Sequence, residues 1–425
     1  ARVLLRGTQD YLEWLNWSTA PDLLVSEEAF EGALDRFGFT EPEREALRRH
    51  DVPLLERPSE TAAASRRLRS GPAEAAAARR VAAAALRLPS IRLEPRRGEP
   101  LLAHARAIGE LLGELAVPGP RGPVWLGLAR TRGVGRDLSL TTTDPFLYAG
   151  GAGVALFLAA LAEISGRGEF RRLADETFDG CLATIRGAAL PRSGFTGAGS
   201  LLYALAASGR SADAARLVPG PGPADADVLN GDAGLCLALL ALHRRRRSPR
   251  ALAAARLVGE GLLRAAPAEG AGFGHGPAGT ASALLRLHAA TDEARWLKGG
   301  RRLLEVAEPR RESGGWCSGA VGLDLARLEA GLPADAAPLP SNARHNLCCG
   351  EAGRVVLLAR AGRLGDARRA AKELIAFGKA RGAWRFQGFY ERPFIPGLMG
   401  GVSGIGLALL TALEPDAAPD VLRLG

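Results

Sequence analysis

The sequence predicts an all-α protein: a double ring of seven inner and seven outer helices, preceded by a short helical segment. Three observations carry this reading. Ala, Leu, Gly and Arg dominate the chain, and Ala and Leu are strong helix formers. Little of it alternates apolar and polar residues with period two, as half-buried strands do. A Gly-x-x-Gly-like pattern recurs seven times, each time opening a nearly all-apolar run.

Residues 1–64 read as short helices. Ser26 followed by Glu27 and Glu28 makes a good helix start, Thr40 with Glu43 a capping box, and Asp51-Val-Pro53 a break. Residues 65–100 are rich in Arg, Ala and Pro and read as a linker, the natural domain boundary. A helix is expected over Leu101–Leu115, followed by Gly122-Pro-Val-Trp125.

The repeats occupy the rest. Their turns begin at Gly150, Thr196, Gly231, Gly276, Gly319, Gly350 and Gly401, between 31 and 51 residues apart. The runs that follow, such as Val154–Leu161 and Leu235–Leu242, are apolar on every side, which requires burial. Between them lie amphipathic stretches such as Glu169–Ile185, Arg250–Arg264 and Gly365–Lys379, suited to covering the buried helices. Each unit is thus a glycine turn, an inner helix, a link and an outer helix. All the glycine turns then share one end of the ring, and side chains attached to them converge on one cavity.

Composition excludes several classes. No run of eighteen apolar residues is free of charge or glycine, so no membrane span is expected. No basic-then-apolar segment opens the chain, and a cytoplasmic protein is expected. Ala1 stands inside an apparent helix, which suggests a piece of a longer protein. The net charge of +9 comes from scattered arginines without interleaved aromatics, a poor match to nucleic acid and a better one to an acidic peptide. Five unevenly spaced cysteines do not make a disulfide framework. Cys181 and Cys236, among apolar neighbours, read as buried small hydrophobes.

The other three cysteines attach to the turns. Cys317 stands two residues before the fifth, and Cys348 and Cys349 precede the sixth. His275 immediately precedes Gly276, and Asp227 lies four residues before Gly231. Three thiolates form a soft ligand set for Zn2+ and leave one tetrahedral position open; His275 or His345 as a fourth ligand would make the site structural instead. An open, thiolate-bound zinc suits a thiol substrate, because it lowers the thiol's pKa and yields a nucleophile at neutral pH.

Trp316-Cys317-Ser-Gly319, His345-Asn-Leu-Cys348-Cys349-Gly350, Gly274-His275-Gly276 and Pro396-Gly-Leu-Met-Gly-Gly-Val-Ser-Gly404 resemble the lanthionine synthetase C-like cyclases, from about Leu101 to the end. Val124-Trp-Leu-Gly-Leu128 and the stretch Leu147–Leu161 resemble the C-terminal cyclase domain of class II lanthipeptide synthetases. Arg2-Val-Leu-Leu-Arg-Gly-Thr8 and Asp51-Val-Pro53 are similar to the last part of that family's dehydratase domain. The resemblance implies a seven-fold α/α toroid over residues 101–425, zinc held by Cys317, Cys348 and Cys349, and addition of peptide cysteine thiols to dehydroalanine or dehydrobutyrine. The partner it implies is a dehydrated precursor peptide with a leader. It implies that His275 moves a proton, that Asp227 supports His275, and that Trp316, His345 and Arg311 contact substrate or support the site. Ser313 stands where many relatives carry arginine, Ser318 replaces a larger residue, and Thr196 replaces a glycine. Residues 1–64 offer no phosphate-binding loop, so no dehydration is expected of this chain. Competing expectations are glutathione addition to dehydrated proteins, a non-catalytic zinc-stabilised peptide-binding scaffold, and a glycosidase on a similar ring. The last needs paired carboxylates, and only Asp227 and Glu351 stand near the turns.

Overall fold

The computed structural model describes residues 100–130, 138–222, 225–267, 270–308, 314–339, 344–381, 384 and 395–425. The expected dehydratase-like segment, all of the linker but its last residue, and Arg311 lie outside these residues. The chain divides into two compact units. In one, the described residues Trp125–Arg130 and Leu138–Thr142 carry an antiparallel hairpin, β3 (Leu126–Arg130) and β4 (Leu138–Thr142). This hairpin and a second, β1 (Val117–Gly119) with β2 (Gly122–Val124), depart from the all-α expectation. The three-residue strands β1 and β2 are too short to show a period-two signal, and the five-residue strands β3 and β4 sit near its lower limit.

The other unit comprises Pro89–Val124 and Thr143–Gly425. Seven of its helices are buried on nearly every side: α2 (Gly151–Ser165), α4 (Ala198–Ala207), α6 (Asp232–Arg246), α8 (Pro277–Thr291), α10 (Ala320–Glu329), α11 (Glu351–Arg360) and α13 (Val402–Leu413). Each packs on the next, and α13 packs on α2, so the series closes on itself. Six helices cover this series from outside: α1 (Pro100–Leu115) on α13, α3 (Gly168–Ile185) on α2, α5 (Ser211–Arg216) on α4, α7 (Pro249–Arg264) on α6, α9 (Ala294–Ala307) on α8, and α12 (Leu364–Arg381) on α11. Their buried residues follow the helical period; α9 buries Trp296, Gly300, Leu304 and Ala307.

Two details differ from expectation. Among the described residues α10 has no outer helix of its own, because the link after it contains Pro333 and Pro338, which cannot continue an α-helix. The glycine pairs are also not turns ahead of the helices. The first glycine is the N-cap and the second lies within the first helical turn, as with Gly276 and Gly279 of α8. A Cβ on Gly279 would collide with the carbonyl of Phe273, and one on Gly404 with that of Leu398. Only glycine lets the preceding loop fold back so closely.

Those loops close a ring of backbone hydrogen bonds. Tyr148 N–H donates to Phe195 O (3.0 Å), Phe195 to Leu229 (3.1 Å) and Leu229 to Gly274 (3.2 Å). His275 donates to Cys317 (2.9 Å), Cys317 to Cys348 (3.3 Å), Cys348 to Met399 (3.0 Å), and Met399 back to Tyr148 (2.9 Å). Seven loops are thereby held shoulder to shoulder at the N-terminal ends of the inner helices.

Candidate metal centre

The ring of loops brings together residues distant in sequence at equivalent places. The residues two before each N-cap glycine are Tyr148, Phe195, Leu229, Gly274, Cys317, Cys348 and Met399. Those one before are Ala149, Thr196, Asn230, His275, Ser318, Cys349 and Gly400. Neighbouring loops therefore present their side chains side by side.

Cys317, Cys348 and Cys349 meet. Cys317 Sγ lies 3.1 Å from Cys349 Sγ, and Cys349 Sγ lies 3.4 Å from Cys348 Sγ. All three sulfurs lie within 4.8 Å of one another, close enough for one metal ion. Among the described residues this is the one group of three or more His, Cys, Asp or Glu side chains able to hold a metal, and neither His275 nor His345 belongs to it. Three soft donors at the corners of one small triangle fit a tetrahedral thiophilic metal with an open position.

The electrostatics suit deprotonation. Hydrogen bonds from Cys348 and Cys349 pull the Cys317 thiol far below the ordinary range; burial opposes this, and Ser318 and His275 reinforce it. Cys348 and Cys349 are pushed up, first because each is bonded to the Cys317 sulfur. Two thiols aimed at one sulfur favour its ionised form, and a divalent cation can take the place of their protons. The positive ends of α10 and α11 lie at the same loops and favour negative sulfur.

His275 and Asp227 also meet. His275 Nδ1 lies 2.7 Å from Asp227 Oδ2, and the other carboxylate oxygen accepts the Asn230 N–H at 2.6 Å. The carboxylate is thereby held at both oxygens. It raises the His275 pKa above the ordinary value, chiefly through the side-chain hydrogen bond, against partial burial. With Nδ1 engaged, Nε2 remains to exchange a proton.

The supporting residues behave differently from one another. Trp316 is fully buried, and its indole N–H donates to Leu422 O at 2.8 Å. His345 is buried against the Phe377 ring, with centroids 4.1 Å apart. Cys181 and Cys236 are buried free thiols, as expected of small hydrophobes.

Three neighbours were missed by sequence reasoning. Tyr148 stands beside the three cysteines; burial first, and then their sulfurs, push its phenol well above the ordinary range. Ser318 Oγ donates toward Cys317 Sγ at 3.7 Å. Asn346 Oδ1 accepts the Cys349 N–H at 2.9 Å and holds the Cys-Cys turn. The signal was present. Tyr148 occupies the place in its repeat that Cys317 and Cys348 occupy in theirs, Ser318 the place of His275 and Cys349, and Asn346 stands three residues before Cys349, the spacing at which a capping side chain reaches a backbone N–H.

Residues 141–423 match the family described as lanthionine synthetase C-like protein. Among solved structures the chain is similar to a nisin cyclase at 15% identity and a TM-score of 0.50, over 66% of this chain and 92% of that one. It is also similar to a D-mannose isomerase at 12% identity and a TM-score of 0.34, over 75% of this chain and 100% of that one. No curated relative matches the chain.

Proposed function

The chain belongs to the lanthionine synthetase C-like family, and from that premise we propose that it is a zinc-dependent peptide cyclase that forms lanthionine and methyllanthionine rings. The substrate is a precursor peptide already carrying dehydroalanine or dehydrobutyrine and free cysteines. The single observation that carries this reading is the juxtaposition of three thiols and an Asp-held histidine on consecutive loops of one ring. In domain terms, residues 101–425 are the cyclase, residues 1–64 the end of a dehydratase-like domain of class II type, and residues 65–100 the link between them.

The residues present fit the metal. Cys317, Cys348 and Cys349 would hold it, and when bound it would stabilise a substrate cysteine as a thiolate. Three cysteinates would leave the site with net negative charge, which favours a nucleophilic sulfur. The sulfur lone pair forms a bond to Cβ of the dehydro residue, and the C=C electron pair moves toward Cα and its carbonyl. His275 supplies the proton that Cα then needs; an imidazole balanced near neutral pH can take a proton from the thiol and return one to carbon. Asp227 keeps the ring oriented and its protonated form stable. Atoms balance: one S–H and one C=C become one C–S and one C–H. Asn230 beside His275 is exposed and available to the peptide.

The test joins metal content to thiol loss. Purified protein carries about one zinc per chain, and it consumes the thiols of a predehydrated peptide at unchanged mass. Cys348→Ala loses both. Wild-type zinc content in Cys348→Ala removes the ligand assignment. Full zinc with no thiol consumption returns the site to a structural role in a peptide-binding scaffold.

A further inference from the structure

We propose that the end of the described chain, Pro415–Gly425, is part of the metal centre: the Leu422 carbonyl, through the Trp316 indole, fixes the backbone that presents Cys317. This rests on the zinc reading above and assigns Trp316 a positioning role.

The segment enters from the far end of the ring. Arg360 on α11 donates to Pro415 O at 2.6 Å and Ala418 O at 2.8 Å. Arg286 on α8 donates to Leu424 O, and Arg245 on α6 to Gly425 O, each at 3.3 Å. These arginines stand toward the C-terminal ends of inner helices, opposite the loops that carry the cysteines. Yet Val421, Leu422 and Leu424 are almost wholly buried, so the segment fills the ring from that end.

At its innermost point the Leu422 carbonyl meets Trp316 Nε1–H at 2.8 Å. The indole is held between aromatic neighbours, Phe195 at a centroid distance of 5.0 Å and Phe273 at 6.0 Å. The Trp316 backbone is held as well: its N–H donates to Cys348 O at 2.8 Å, and its carbonyl accepts from Phe273 N–H at 2.9 Å. Side chain and backbone together leave this residue no freedom to rotate, and Cys317 is the next residue. A buried indole N–H needs an acceptor in any case, and Trp384 takes its own from Leu374, ten residues back. Trp316 instead draws its acceptor from a segment more than a hundred residues away, which ties that segment to the residue before Cys317. Partners of ligand-bearing groups typically shift metal affinity about 10- to 100-fold.

The test separates packing from positioning. Trp316→Phe keeps an aromatic ring and removes the N–H. Phe195→Leu loosens the packing and keeps the bond. Zinc Kd is measured by competition with a chromophoric chelator, the ligand field by the visible spectrum of the cobalt(II)-substituted protein, and folding by circular dichroism and Tm. The expected result is a folded Trp316→Phe protein with zinc Kd weakened about tenfold and shifted cobalt bands. Phe195→Leu then has a lower Tm with wild-type Kd and spectrum. Wild-type zinc affinity and spectrum in folded Trp316→Phe overturns the proposal, as does equal weakening by Phe195→Leu. Should Trp316→Phe not fold, Arg360→Gln carries the test by releasing the carbonyls of Pro415 and Ala418; unchanged zinc Kd there overturns it. A wild-type protein that binds no zinc overturns the cyclase reading itself.

Discussion

At the scale of single residues the chemistry rests on how protons are shared. The two thiols bonded to Cys317 favour its ionised form, and the Asp227 carboxylate bonded to His275 favours its protonated form. The second relation makes a direct prediction. His275 titrates above the ordinary histidine value, so at a pH just above that value it is more protonated than a free imidazole. Removing the carboxylate charge in Asp227→Asn lowers the midpoint. An NMR titration of the His275 ring in the metal-free protein reads it; an unchanged midpoint shows that Asp227 does not hold the imidazole. His275→Asn is expected to keep fold and zinc, because His275 is not in the thiol group, and to slow ring closure by about 10²–10⁴-fold. The readout is a thiol-trapping mass assay on a predehydrated peptide. Rings closing at the wild-type rate would remove His275 from the mechanism.

At the scale of elements, the inner helices do two jobs. Their N-terminal ends carry the site, and their C-terminal ends hold the final segment. Asp420 belongs to that second end. Burial pushes its carboxyl up, but Arg423, Arg360 and Arg286 outweigh burial and hold it down to about 2. Arg423 contacts it at 2.6 Å. A depressed folded pKa contributes stability that is present above the unfolded value and lost as pH falls through the folded one. Asp420→Asn is therefore expected to cost about 2 kcal/mol near neutral pH. The difference from wild type narrows as pH falls from about 4 toward about 2. Urea unfolding at a series of pH values measures it, and a gap independent of pH would mean that the ion cluster contributes nothing.

At the scale of the whole molecule, closure matters most. The hydrogen-bond cycle from Tyr148 through Met399 places loops of distant repeats in contact, and the Pro415–Gly425 segment fills the opposite end. The proposed peptide substrate would reach the thiols from the loop side. The reaction proposed there is an addition with no leaving group, so it needs no nucleotide. The expected outcome is ring formation on a predehydrated peptide without ATP and its loss on removing zinc with a chelator, followed by mass spectrometry with thiol trapping. Ring formation that survives verified metal loss would exclude the metal from the reaction. No helix among the described residues is long and apolar enough to cross a membrane.

The sequence by itself determined the helical class, the seven inner helices and the three cysteines that gather at two of their turns. It could do so because these are local matters: helix propensity, apolar runs, and glycines where a Cβ would strike a carbonyl six residues back. It also placed His275 and Asp227 near neighbouring turns, although their 2.7 Å contact needs two loops in one register. The short hairpins and the missing cover of α10 escaped it, because three-residue strands leave no period and prolines in a link say only where a helix is not. Tertiary structure alone decided that Tyr148 stands beside the cysteines, that His345 packs on Phe377, and that Trp316 meets Leu422. The physical reason is that such contacts join residues far apart in the chain. Their side chains meet only when the ring closes and all seven loops are locked by the backbone bonds between them.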